Sequence, residues 1–189
     1  GMGWCGEGAW EWGGRVIAVE VVGGHPGGLA AGDEAARKGL EVKVVEAAVP
    51  PSDKAFGEGL MQDALRALLD LGVEIPPGVG AAFYGIRFVG EDVSVEAEFP
   101  TGYGLALRRS VLHQILVNAA AQAGAELPWG APARELSNVK TRWVVGAGGH
   151  SSPVGQVGGL GRGRARAVRS GFRCLLRLRC VPPHGRGDW

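Results

Sequence analysis

Cysteine is scarce in this chain of 189 residues: Cys5, Cys174 and Cys180 are too few and too far apart for a disulfide framework, and none forms a C-x-x-C pair. A disulfide-stapled secreted domain is therefore excluded, and the usage points to a reducing, cytoplasmic compartment. Long apolar runs are lacking too. No stretch approaches a membrane span, and the opening GMGWCGEGAWEWGG has no continuous apolar core of the kind a signal peptide needs. Charge of one sign is absent overall, since 20 Lys and Arg stand against 19 Asp and Glu for a net +1. That balance disfavours nucleic acid as a partner of the whole chain. His113, His150 and His184 have no companions at catalytic or metal-ligand spacing, so neither a metal site nor a catalytic nucleophile, base and acid is expected.

Glycine, by contrast, is abundant, and an apolar content of 46% suits a globular domain able to bury a good-sized core. The glycines are concentrated most tellingly in VVGGHPGGLAAG, residues 21–32. Val16 to Val22 is an apolar, β-branched run and reads as a buried strand, while Leu29 to Lys38 has the small and apolar face of a helix. Strand, glycine turn and helix in that order place a dinucleotide's pyrophosphate on a helix N-terminus. The template G-x-G-x-x-G is filled by Gly23, Gly24, His25, Pro26, Gly27 and Gly28, so its second glycine is His25. A second strand, Glu41 to Val45, ends in Glu46, at about the spacing where an acid receives the adenosine ribose hydroxyls. Taken alone, Glu46 is an exposed strand end; taken with the turn, it completes a dinucleotide site. NAD fits the same first motif, because an acid suits an unphosphorylated ribose.

Three further segments make the chain resemble the glutathione-reductase-like flavoproteins of the geranylgeranyl reductase, aromatic hydroxylase and flavin-dependent halogenase group. PPSDKAFGEGLMQDALRALLDLGV is similar to that group's loop and helix after the second strand, supplying Lys54, Gly57, Glu58 and Gly59, with Phe56 where a cysteine is usual. LALRRSVLHQILVNAAAQAGAEL, residues 105–127, carries Arg109 at the helix-opening arginine that reaches the flavin in relatives. RWVVGAGGHSSPV, residues 142–154, resembles the second flavin motif, with Gly148 in place of its aspartate. The resemblance implies FAD as cofactor and adds Ala133 and Gly149 to the cofactor-binding set. It implies no catalytic residue of the protein's own, since flavin carries the redox chemistry.

Two departures weaken that expected binding. His25 adds a side chain where the backbone should approach the pyrophosphate, at a conformational cost of about 1–3 kcal/mol if the position requires positive φ. A protonated imidazole facing the phosphate would offset part of this. Gly148 cannot accept the hydrogen bonds that a carboxylate takes from the ribityl chain, a loss of about 1.5–3 kcal/mol. A cofactor-free remnant of the fold is the resulting alternative.

Gly85 to Gly90 and Val93 to Phe99 alternate as the strands of a hairpin, with Tyr103 to Leu107 as a third; Phe83, Tyr84, Phe88 and Phe99 are expected to pack in the core. From Leu160 onward eight arginines face a single acid, Asp188, giving +7 after a stretch that sums to −6. Such a tail suits a flexible basic segment or a strand with one solvated face, and its last residues, VPPHGRGDW, read as coil. The expected organisation is a disordered or tag-derived N-terminus (1–14), an FAD-binding Rossmann-like α/β domain with a mainly parallel sheet and an inserted β element (15–159, the insertion at about 80–107), and a basic remnant of a substrate domain (160–189). Relatives of this kind are about twice as long, so the chain reads as the FAD-binding portion of a flavin-dependent oxidoreductase or monooxygenase, truncated and not competent alone. Its expected partners are FAD and either a second copy or the missing C-terminal half.

Overall fold

The computed structural model describes residues 11–12, 15–50, 57–131, 141–149, 152, 154–155 and 187–188. In chain order the elements are β1 (Glu11–Trp12), β2 (Arg15–Val16), β3 (Val19–Val22), α1 (Pro26–Arg37), β4 (Val42–Val45), β5 (Gly59–Leu60), α2 (Gln62–Asp70), β6 (Ala81–Phe83), β7 (Gly85–Val89), β8 (Ser94–Glu98), β9 (Gly104–Ala106), α3 (Arg109–Gln122), β10 (Trp143–Gly146) and β11 (Gly187–Asp188). The chain divides into two units, residues 1–50 with 116–164 and residues 51–115 with 165–189.

The first unit is built on a parallel sheet in the order β10, β3, β4. Its register sets Val19 against Val42, Val21 against Val44 and Val22 against Val45, with Glu20 opposite Lys43. Parallel strands covered on both faces need β-branched residues on both, and Val21, Val22, Val42, Val44 and Val45 are all buried. Beyond β4 the chain at 126–129 continues the sheet in parallel: Val44 N–H donates to the Glu126 carbonyl at 2.8 Å, Glu126 N–H to the Val42 carbonyl at 2.8 Å, and Glu46 is bridged to Trp129. Helix α1 closes the sheet with Leu29, which is fully buried. It lies close because Gly32 has no side chain; a Cβ there would stand 2.6 Å from Val44 Cγ2. Asp33 is buried on the same helix and is held by Arg37 Nε at 2.8 Å.

The second unit holds two small sheets. Strands β7 and β8 form the expected antiparallel hairpin, with Gly85 opposite Glu98 and Val89 opposite Ser94. The third expected strand goes elsewhere, because β9 pairs antiparallel with β5 and β6 rather than joining the hairpin. The β element therefore belongs with α2 and β5 as one compact unit. Close packing explains part of that choice: Gly104 lies under the Phe83 ring, where a Cβ would meet Phe83 Cζ at 2.2 Å. Phe83 is buried and stacks on Phe99 at 5.6 Å. Tyr84 and Phe88 are not core residues as expected; they are 59% and 70% exposed. A small open sheet covers neither of its own faces, so side chains along it stay in solvent unless another layer lies over them. Residues Gly187–Asp188 pair with β7 in parallel, so the terminal segment read as coil contributes a short strand.

Leu29→Ala removes the central side chain between α1 and the sheet. It is expected to lower stability by about 2–5 kcal/mol, seen as a reduced urea midpoint with an unchanged slope.

Candidate functional site

Gly23, Gly24 and His25 link β3 to α1, and each position has a separate physical demand. Gly23 adopts φ +118°, and a Cβ on it would come within 2.6 Å of the backbone of Ala147 and Gly148. Gly28, the third residue of α1, would place a Cβ against the Gly23 carbonyl oxygen. Only glycine permits this approach of helix to strand. His25 itself has φ −81° and ψ 173°, an extended conformation open to any residue, so the conformational cost conditional on positive φ does not arise. The left-handed position of the turn is Gly23, two residues earlier.

Pro26 opens α1, where its missing N–H costs nothing and its fixed φ already suits a helix. His25 makes no side-chain cap and the first turn carries no acid, so the Gly27 and Gly28 amides keep the partial positive charge of the helix start. Gly27 is exposed, and a Cβ on it would meet nothing within 4 Å.

Glu46 fastens the turn from the side. Its Oε2 accepts a hydrogen bond from Gly24 N–H at 2.8 Å, and its Oε1 accepts one from Ala48 N–H at 3.0 Å. Burial disfavours the charged carboxylate, but the N–H groups of Ala48 and Gly24, with the nearby His25, outweigh it and hold Glu46 below the usual carboxylate range. His25 Nε2 lies 3.8 Å from Glu46 Oε2. The Trp129 indole packs at the same place, within 2.7 Å of where a Gly24 Cβ would be. The bland reading of Glu46 as an exposed strand end does not hold, since its side chain is 13% exposed and bonded at both oxygens.

The second glycine motif lies beside the first. Strand β10 runs parallel to β3 with Gly146 opposite Val22, and Ala147 N–H donates to the Val22 carbonyl at 2.8 Å. Gly148 therefore follows directly after the strand end next to Gly23, and Gly149 takes φ +75°. Ser152 Oγ would be 3.3 Å from a Cβ on Gly148.

In the second unit, Arg109 opens α3 and is half-buried, while Arg108 is exposed. The Arg109 guanidinium lies across Gly57, where a Cβ would stand 2.6 Å from Nη1; φ +89° at Gly57 also demands glycine. Glu58 Oε1 accepts from Arg109 N–H at 3.4 Å, and the Glu58 carbonyl accepts from Leu107 N–H at 2.6 Å. Lys54, Phe56, Ala133 and His150 lie outside the described residues. The structure thus gathers Gly23, Gly24, His25, Pro26, Gly27, Gly28, Glu46, Gly148 and Gly149 in one unit and places Gly57 with Arg109 in the other.

Sequence reasoning missed Trp129, Ala147 and the site role of Glu58. For Glu58 a signal existed, since it belongs to the quoted Lys54-to-Gly59 pattern. Trp129 sits between Pro128 and Gly130, a context that reads as a turn and hides its strand-like pairing.

Residues 16–138, well over half of the chain, match the family model of the FAD binding domain. The chain belongs to this family of FAD-binding domains. Its cofactor is FAD, and the turn fits that group: α1 opens with no side-chain cap and no first-turn acid, and Glu46 is fixed by two backbone N–H groups and held below the usual carboxylate range. Among curated proteins it is similar to a menaquinone reductase of Mycobacterium tuberculosis, 34% identical over 131 residues, which is 67% of this chain and 32% of that protein. Among solved structures it is similar to a geranylgeranyl bacteriochlorophyll reductase-like protein from Thermoplasma acidophilum (TM-score 0.54, 28% identity, 62% of this chain and 30% of that one). A probable FAD-dependent monooxygenase from Pseudomonas aeruginosa shares the fold (TM-score 0.60, 20% identity, 73% of this chain and 44% of that one). The chain spans about a third of the length of the curated relatives it matches. Among the described residues, no helix is long and apolar enough to cross a membrane.

Gly27 and Gly28 are neighbours with opposite expectations. Gly27→Ala is expected to keep the parent's thermal stability without FAD, because its Cβ meets nothing within 4 Å, whereas Gly28→Ala, colliding with the Gly23 carbonyl, loses thermal stability and FAD binding together. Melting curves with and without FAD check both.

Proposed function

We propose that this chain is the FAD-binding portion of a flavin-dependent reductase. The observation that carries the reading is the open, uncapped start of α1 bound through Gly24 to the Glu46 carboxylate. The similarities at 28% identity and above that are described here bear reductase names, while the monooxygenase likeness, at 20%, speaks for the fold alone. Reduction is therefore favoured over hydroxylation or halogenation as the reaction of the whole protein. Bound flavin would supply the hydride or electrons; this chain's residues bind and orient it. The amides of Gly27 and Gly28 would hold the pyrophosphate, Glu46 the adenosine ribose, and Gly148 and Gly149 would line the path of the ribityl chain. Arg109 would serve the flavin end, and Lys54 and Ala133 complete the proposed contacts.

A cofactor-free remnant is the second reading, and Gly148 is what favours it, because a carboxylate that elsewhere accepts hydrogen bonds from the ribityl chain is missing. Sparse cysteine supports a cytoplasmic setting. Among the described residues β10 is an edge strand, and its exposed apolar side chains Trp143, Val144 and Val145 support pairing with a second copy.

Purified protein incubated with excess FAD and freed of unbound ligand is expected to retain a visible flavin band. Gly148→Asp is expected to tighten FAD about ten- to a hundredfold, because Gly148 has a φ any residue adopts and Ser152 is the nearest neighbour. No retained band in either protein would turn the reading to the cofactor-free remnant. Light scattering is expected to report a dimer that Trp143→Glu dissociates; a monodisperse monomer contradicts the paired edge.

A further inference from the structure

We propose that His25 is a proton-linked contact for the FAD pyrophosphate, so that FAD binds with uptake of a proton and its affinity falls as pH rises through neutrality. The inference rests on the FAD reading above and concerns the residue that replaces the second template glycine. His25 stands immediately before the α1 amides, half-buried, on an unstrained extended backbone. Its Nε2 is 3.8 Å from Glu46 Oε2. A pyrophosphate diester at the helix start carries two negative charges and titrates nowhere near neutrality. Its arrival adds an anion beside a ring that already faces the Glu46 carboxylate. Imidazolium is opposite in charge to both, so the complex favours the protonated ring.

The described groups facing His25 are a carboxylate, backbone and an indole. From β4 it faces Glu46, a carboxylate held in its ionised form by the Gly24 and Ala48 amides. Gly23, Gly24 and the turn Ala147–Gly149 carry no ionisable side chain, and the segment packed on Gly24 presents the neutral Trp129. Further along α1, Asp33 and Glu34 are paired with Arg37 and Lys38.

The sign follows from linkage. A group protonated more readily in the complex than in the free protein contributes affinity that is full below its free value and lost as pH rises through its bound value. An ordinary histidine titrates near pH 6.5, which sets the window at about pH 6–8.

Calorimetric titration of FAD into the intact chain at pH 7, in phosphate and in Tris, separates binding heat from buffer ionisation and counts protons. The parent is expected to take up roughly half to one proton, with Kd rising by up to about tenfold per pH unit between pH 6.5 and 8. His25→Gly and the shape-keeping His25→Gln are expected to bind with no uptake and with a flat pH profile, whereas His25→Lys keeps the affinity without the pH dependence. FAD binding by the parent without proton uptake, or undiminished uptake in His25→Gln, would overturn the proposal. Failure of the parent, His25→Gly and His25→Gln all to bind FAD would overturn the FAD reading itself.

Discussion

A single carboxylate, Glu46, ties the end of β4 to the turn that follows β3. Its bond to Gly24 N–H holds the turn immediately before the extended His25 and the uncapped start of α1. Everything else at this end of the unit is arranged around that tie. Gly23 needs its left-handed conformation to pass Ala147, Gly28 needs its bare Cα to pass the Gly23 carbonyl, and Trp129 packs where a side chain on Gly24 would have been. Buried carboxylates are costly without donors, and here two backbone N–H groups supply them. The sheet thus carries a fixed negative charge beside a helix start of opposite polarity, an arrangement suited to a ligand with a hydroxylated sugar at one end and a phosphate at the other.

The two departures from the usual pattern act differently. His25 is accommodated without strain, and its ring is turned toward Glu46, so the substitution leaves the backbone of the turn as it was and adds an imidazole beside the carboxylate. Gly148 takes away an acceptor and puts nothing in its place. On the proposed reading, one alteration adds an imidazole beside the phosphate and the other removes a hydrogen-bond acceptor from the path of the ribityl chain.

Much of the first unit was legible in the sequence because its signals are local. Val16 to Val22 and Glu41 to Val45 are β-branched runs, and the Gly–Pro punctuation at 23–28 marks both the end of a strand and the start of a helix. Glu46 could be placed by its spacing from that turn. What was not legible depends on partners distant in sequence. The pairing of β9 with β5 and β6 is invisible in the periodicity of residues 103–107, and two- or three-residue strands such as Gly59–Leu60 have no period to read. Composition did not show that Tyr84 and Phe88 would stay exposed, because burial depends on whether another layer covers the ribbon. A glycine template likewise names residue types without their dihedral angles, which is why the strained position proved to be Gly23 and the residue replacing a template glycine, His25, proved unstrained.

The central claim is that the start of α1, held by Glu46, is where FAD binds. Amide hydrogen exchange of the intact chain with and without FAD tests it residue by residue. Slowed exchange at Gly24, Gly27 and Gly28, together with Ala48, is the predicted result. FAD binding that protects other segments and leaves those four amides unchanged, or no protection anywhere at saturating FAD, would contradict it.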